Sequence, residues 1–91
     1  MAVVMTTEVP GLSEQQAQGM LGQVGQQLRQ ARGFVAHASG PIQGGYRVVE
    51  IWQSREDWLG WYDAFVKPTL QAAGAPELNP QYFEAPVLVT P

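Results

Sequence analysis

A chain of 91 residues has room for one domain and one core, which excludes a second domain and makes 1–91 a single unit. Its hydrophobic fraction of 45% against 14% charged residues argues against disorder and suggests apolar surface beyond what a monomer must hide. The net charge of -3, with Arg29, Arg32, Arg47, Arg55 and Lys67 spread singly, supplies no basic stripe for phosphates, so nucleic acid is not an expected partner.

No apolar run approaches the ~20 residues that cross a bilayer. Met1 to Val9 lacks the basic start and long apolar stretch of a signal peptide. No membrane partner is expected, and the cytoplasm is the default location. The absence of cysteine removes disulfides, thiolate catalysis and sulfur-bound zinc, and is compatible with a reducing interior.

The β-branched segment Ala2 to Val9, closed by Pro10-Gly11, reads as a first strand. Ser13 and Gln16 match a capping box, after which Ala17, Met20, Leu21, Val24, Leu28 and Ala31 recur at helical spacing. The other face of this helix is glutamine-rich and carries Gly19, Gly22 and Gly25, and Gly33 supplies its stop. Phe34 to Ser39 alternates as a short strand, with Phe34, Ala36 and Ala38 on one side and Val35, His37 and Ser39 on the other. A glycine-rich connection from Gly40 to Gly45 then leads into Tyr46 to Gln53, a strand that forms a hairpin with the one before.

Ser54 is placed to cap a second helix, with Glu56 and Asp57 at the positive end of its dipole. Trp58, Leu59, Trp61, Tyr62, Phe65 and Val66 give it an aromatic buried face. Pro68 should kink this helix or open a new turn over Thr69 to Ala73, ending at Gly74. After a loop from Ala75 to Pro80, Gln81 to Thr90 reads as the last strand, with Pro86 at an edge or bulge.

The order strand, helix, strand, strand, helix, strand is the split βαβ unit of an α+β, ferredoxin-like βαββαβ fold: a four-stranded antiparallel sheet with two helices on one face. Strand three is expected to turn Val49 and Ile51 toward the helices, leaving Tyr46, Val48, Glu50 and Trp52 on the bare face. Large rings in water mark an interface or a ligand groove, and dimerisation through the open faces would cover them.

The stretch Gly45-Tyr46-Arg47-Val48-Val49-Glu50-Ile51-Trp52-Gln53-Ser54-Arg55-Glu56, followed by an aromatic helix, Lys67-Pro68, Ala73-Gly74 and a closing strand, resembles the dimeric α+β barrel proteins, in particular small domains related to antibiotic biosynthesis monooxygenases. The order of elements covers nearly the whole chain, while the motif-level match is confined to about Gly33 to Gly74. The resemblance implies a homodimeric barrel. It also implies an apolar or aromatic small molecule as ligand, in a superfamily of cofactor-independent oxygenases acting on polycyclic phenols, haem-degrading enzymes, lactone isomerases and proteins of no known activity.

His37 has an ordinary pKa suited to general acid or base work, and it should share a sheet face with Glu50 and Trp52. Its structural alternative is a histidine hydrogen-bonded at a seam or strand end. Glu50, in the middle of an apolar strand, must be paired, protonated or facing a wet cavity, because an unpaired buried charge is costly. It is a candidate base or hydrogen-bonding clamp, or else half of an interchain ion pair or a polar lining residue, and Arg47 points to the opposite face. Trp52, Tyr46, Tyr62 and Val48 are candidates to wall a planar ligand, with Trp52 the foremost. For Trp58, Trp61 and Phe65 the core is the expected place.

A lone histidine among scattered carboxylates lacks the ligand spacing of zinc or non-haem iron, so no metal site is expected, although one histidine is enough to ligate haem. No glycine-rich loop stands between a strand and a helix to cradle phosphates, and no cofactor is expected. Nor do Ser and His form a recognisable nucleophile motif. The expected function is a small-molecule site in a dimeric barrel, either a cofactor-independent monooxygenase acting on an aromatic or polyketide-like compound or a non-catalytic dimeric module that binds a ligand or a protein.

Overall fold

Along β1 (Ala2–Pro10), Val3, Met5 and Thr7 are buried while the residues between them are partly covered, the period-two pattern of a strand with one face on a core. The computed structural model describes residues 1–91. Helix α1 (Glu14–Gln30) opens on the expected capping box: the Ser13 hydroxyl oxygen accepts the Gln16 N–H at 3.1 Å and the Gln16 side-chain amide oxygen accepts the Ser13 N–H at 3.0 Å. Gly33, at φ 81, turns the chain into β2 (Phe34–Ile42), which pairs with β3 (Gly45–Trp52) across a turn where Gly44 adopts φ 82. The last strand, β4 (Gln81–Ala85), pairs with β1. The sheet runs β2-β3-β1-β4, every neighbouring pair antiparallel, as the split βαβ order requires.

Pro68 is accommodated by a change of helical pitch. Helix α2 (Arg55–Trp61), capped by Ser54, passes through a π-helical turn (Tyr62–Val66) into α3 (Lys67–Ala72). Pro68 sits at the start of α3, where the missing N–H matters least, and the ladder just before it lengthens so that the Lys67 N–H reaches the Tyr62 carbonyl. The Thr69 hydroxyl donates to the Phe65 carbonyl at 2.8 Å. The new turn expected after Pro68 is therefore a continuation through a π-bulge. The last strand ends at Ala85, short of the expected Thr90, because Pro86 has no N–H to extend the ladder.

The two sides of β3 are reversed from the expectation. Tyr46, Glu50 and Trp52 are buried beneath the helices, with Val48 packed against the core, while Val49 and Ile51 lie on the open face. Trp52, 0% exposed, joins Met5, Leu28, Trp58, Trp61, Tyr62 and Leu70 in a single core cluster. The reason is area: an indole ring removes roughly 150–250 Å² from water, more than Val49 or Ile51 can offer the aromatic face of α2. Glu50, two residues away on the same face, is carried inward with it. The register places Met5 opposite Glu50, and Val3 opposite Trp52.

Candidate functional site

The edge strand β2 brings polar side chains over this inward face. A bulge between Phe34 and Ala36 inserts an extra residue, so that Phe34 stands opposite Trp52 and His37 opposite Glu50. Without it, Phe34 and His37 would fall on opposite sides. His37 Nδ1 lies 2.7 Å from Glu50 Oε2, and the Trp52 indole Nε1–H donates to Glu50 Oε1 at 3.0 Å. Glu50 is only 5% exposed, yet each carboxylate oxygen has a partner, which removes the penalty of an orphaned buried charge. Nε2 of the same imidazole lies 2.9 Å from Ser39 Oγ.

With Glu50 ionised and the ring neutral, Nδ1–H donates to Glu50 and Nε2 accepts from the Ser39 hydroxyl; with the ring protonated, both nitrogens donate. In either state the carboxylate orients the ring.

Beside His37 an open groove of about 680 Å³ runs between α1 and β2. Leu21, Gly22, Gly25 and Leu28 form its helical wall, and Phe34 and His37 its strand wall. A Cβ on Gly22 or Gly25 would meet nothing within 4 Å, so the glycines leave that wall low. The remaining sequence candidates lie elsewhere. Trp52 is sealed in the core and holds Glu50 rather than walling a ligand. Tyr62 stacks on Trp58 at 5.0 Å and its hydroxyl oxygen accepts the Leu78 N–H at 3.1 Å, pinning the loop before β4. Tyr46 is buried near the far end of the sheet, opposite Val9, and neither it nor Val48 lines the groove. His37 and Glu50 look toward the helices, not into a barrel between two sheets. Ser39 was visible in the sequence only as the i+2 neighbour of His37 on one strand face, a spacing that places two side chains together without identifying a nucleophile.

The topology is that of a ferredoxin-like α+β fold. No model of a known protein family matches the sequence, and no curated protein is significantly similar to it. Among solved structures, the chain is similar to SnoaB, a cofactor-independent oxygenase from Streptomyces nogalater, at a TM-score of 0.67 and 10% identity, covering 97% of this chain and 95% of that one. It is also similar to MhuD, a heme-degrader from Mycobacterium tuberculosis with two hemes in its active site, at a TM-score of 0.61 and 20% identity over 99% of this chain and 100% of that one. A proposed antibiotic biosynthesis monooxygenase from Deinococcus radiodurans matches at a TM-score of 0.66 and 15% identity, covering 99% and 97%. At these identities the likeness is one of fold.

Proposed function

We infer that the chain binds an apolar or aromatic small molecule in the α1–β2 groove, as a homodimer, and oxygenates an aromatic or polyketide-like compound without a cofactor. The observation that carries this reading is the carboxylate-backed histidine opening onto a groove with apolar walls. A phenolic substrate lying on Leu21, Leu28 and Phe34 would give its proton to His37 Nε2 in place of Ser39. Glu50 would then stabilise the imidazolium, and the electron-rich phenolate would react with dioxygen. The oxygenase activity of SnoaB on the same fold supports this chemistry. Were haem, which MhuD binds, to be held here, His37 Nε2 would be the nitrogen to hold it, in place of its contact with Ser39, since Nδ1 is engaged by Glu50.

The test is oxygen uptake by the purified chain in the presence of a polycyclic phenol. Consumption should follow phenol concentration and be lost in His37→Ala, with the circular dichroism spectrum unchanged. Phenol binding without oxygen uptake would instead identify a non-catalytic ligand-binding module.

A further inference from the structure

The contacts of His37 extend beyond a base with its carboxylate. Ser39 Oγ lies 2.9 Å from Nε2, Nδ1 lies 2.7 Å from Glu50 Oε2, and the far oxygen of Glu50 is fixed by the Trp52 indole at 3.0 Å. Nucleophile, base and orienting carboxylate are thus connected in series through the two opposite nitrogens of one ring, within the hydrogen-bond reach that activates a hydroxyl. Exposure follows the same order: Glu50 is buried, His37 partly covered and Ser39 exposed, so the hydroxyl is the member that a substrate meets. The three side chains come from adjacent strands in antiparallel register, a rigid platform compared with a loop.

We propose that Ser39, His37 and Glu50 form a Ser-His-Glu acyl-transfer centre, acting on activated esters whose acyl portion is small and apolar. This goes beyond oxygenation, because the proton taken by His37 comes from the protein's own hydroxyl instead of a bound phenol. Ser39 Oγ attacks the ester carbonyl carbon as its proton passes to Nε2, giving a tetrahedral intermediate with the charge on oxygen. The C–O bond to the alcohol then breaks, and the leaving alkoxide takes the proton from Nε2. Water, deprotonated by the same nitrogen, attacks the acyl-serine and releases the carboxylic acid and Ser39, so atoms and protons balance with water as the only co-reactant. The α1–β2 groove beside His37 offers Leu21, Leu28 and Phe34 to the acyl portion.

The chain contains its own controls, since it has two other serines, Ser13 and Ser54, both of them helix caps whose hydroxyl oxygens accept a backbone N–H at 3.1 Å. Neither is joined to a histidine. The full chain is treated with an alkyl fluorophosphonate and the modified residue located by mass spectrometry, alongside the pre-steady-state release of nitrophenol from p-nitrophenyl butyrate. The expected result is a single phosphonyl group on Ser39 and a burst approaching one equivalent, both lost in Ser39→Ala, an exposed position whose truncation leaves the fold intact. His37→Gln should slow labelling by roughly 10²-fold or more, the contribution of a general base. Labelling of Ser39 no faster than of Ser13 or Ser54 in the unmodified chain overturns the proposal without requiring any variant to fold. Ser39 labelling that is unaffected in a folded His37→Gln variant overturns it equally. Either result leaves phenol-dependent oxygen uptake to be judged on its own.

Discussion

Trp52 has one polar atom, its indole N–H, and directs it at Glu50 Oε1 from a position with no solvent exposure. Removing that donor while keeping an aromatic ring leaves a buried carboxylate oxygen unpaired. Trp52→Phe is therefore expected to cost about 1–3 kcal/mol beyond the loss of volume, the usual penalty for an orphaned buried acceptor. Trp61→Phe, in the same cluster but with no such bond, measures the volume loss alone; equal urea midpoints for the two variants would show that the indole bond contributes nothing. Tyr82 is a second residue whose surroundings set its behaviour. Burial against Trp58 raises its phenol pKa, and the Arg55 guanidinium, 4.1 Å above the ring, opposes that shift. A folded-state pKa above the unfolded value contributes stability that is complete below the ordinary phenol range near pH 10 and is lost as pH rises through the folded value. Lys67, raised chiefly by its hydrogen bond to Glu77, has the same sign. The urea midpoint should therefore fall on the alkaline side. Arg55→Gln should move the Tyr82 titration further up, as read by ultraviolet difference absorbance; a downward move would mean that the cation is not what restrains it.

At the scale of elements, the glycines of α1 separate helix propensity from access to the groove. Gly19 is exposed, lies outside the groove wall, and a Cβ there would meet nothing within 4 Å. Gly19→Ala should raise thermal stability by up to about 1 kcal/mol, the usual gain in an exposed helix interior. An unchanged melting temperature would mean that this turn is frayed. The elements themselves were largely legible in the sequence because their signals are local: the Ser13 capping box, the Gly33 stop and the Ser54 cap, whereas Pro86, read as an edge or bulge within the last strand, instead lies just beyond its end. What could not be read there was tertiary. Both sides of β3 are plausible inner faces, since Val49 and Ile51 compete with Val48 and Trp52, and the choice falls to whichever ring fills the space left by Trp58 and Trp61. The bulge in β2 has no glycine or proline to announce it, yet it aligns Phe34 with Trp52 and His37 with Glu50. Alternation alone put His37 and Glu50 on one face. It could not say that the face lay under the helices, or that a serine two residues on would complete the set.

For the whole molecule, the reversal of β3 changes which residues a second copy would cover. The open face presents Val4, Val49 and Ile51, with Phe83 60% exposed, and the Arg47–Glu8 ion pair at 2.6 Å toward one end. In one chain this is an apolar sheet surface with a charged margin, the composition of an interface core with a polar rim. A homodimer built on it should bury at least roughly 1,000 Å² and sediment as a dimer at micromolar concentration. The two sides of the strand then give opposite outcomes for one kind of change. Val49→Asp places a charge on the open face, where a single chain leaves it in water, so it should yield a folded monomer. Val48→Asp places the same charge against the core, where it lacks a partner, so it should lower the melting temperature whatever the state of assembly. Sedimentation velocity and thermal denaturation on both variants separate the effects. If Val49→Asp remains a dimer with an unchanged sedimentation coefficient, the second copy does not sit on this face, and the apolar surface serves another partner.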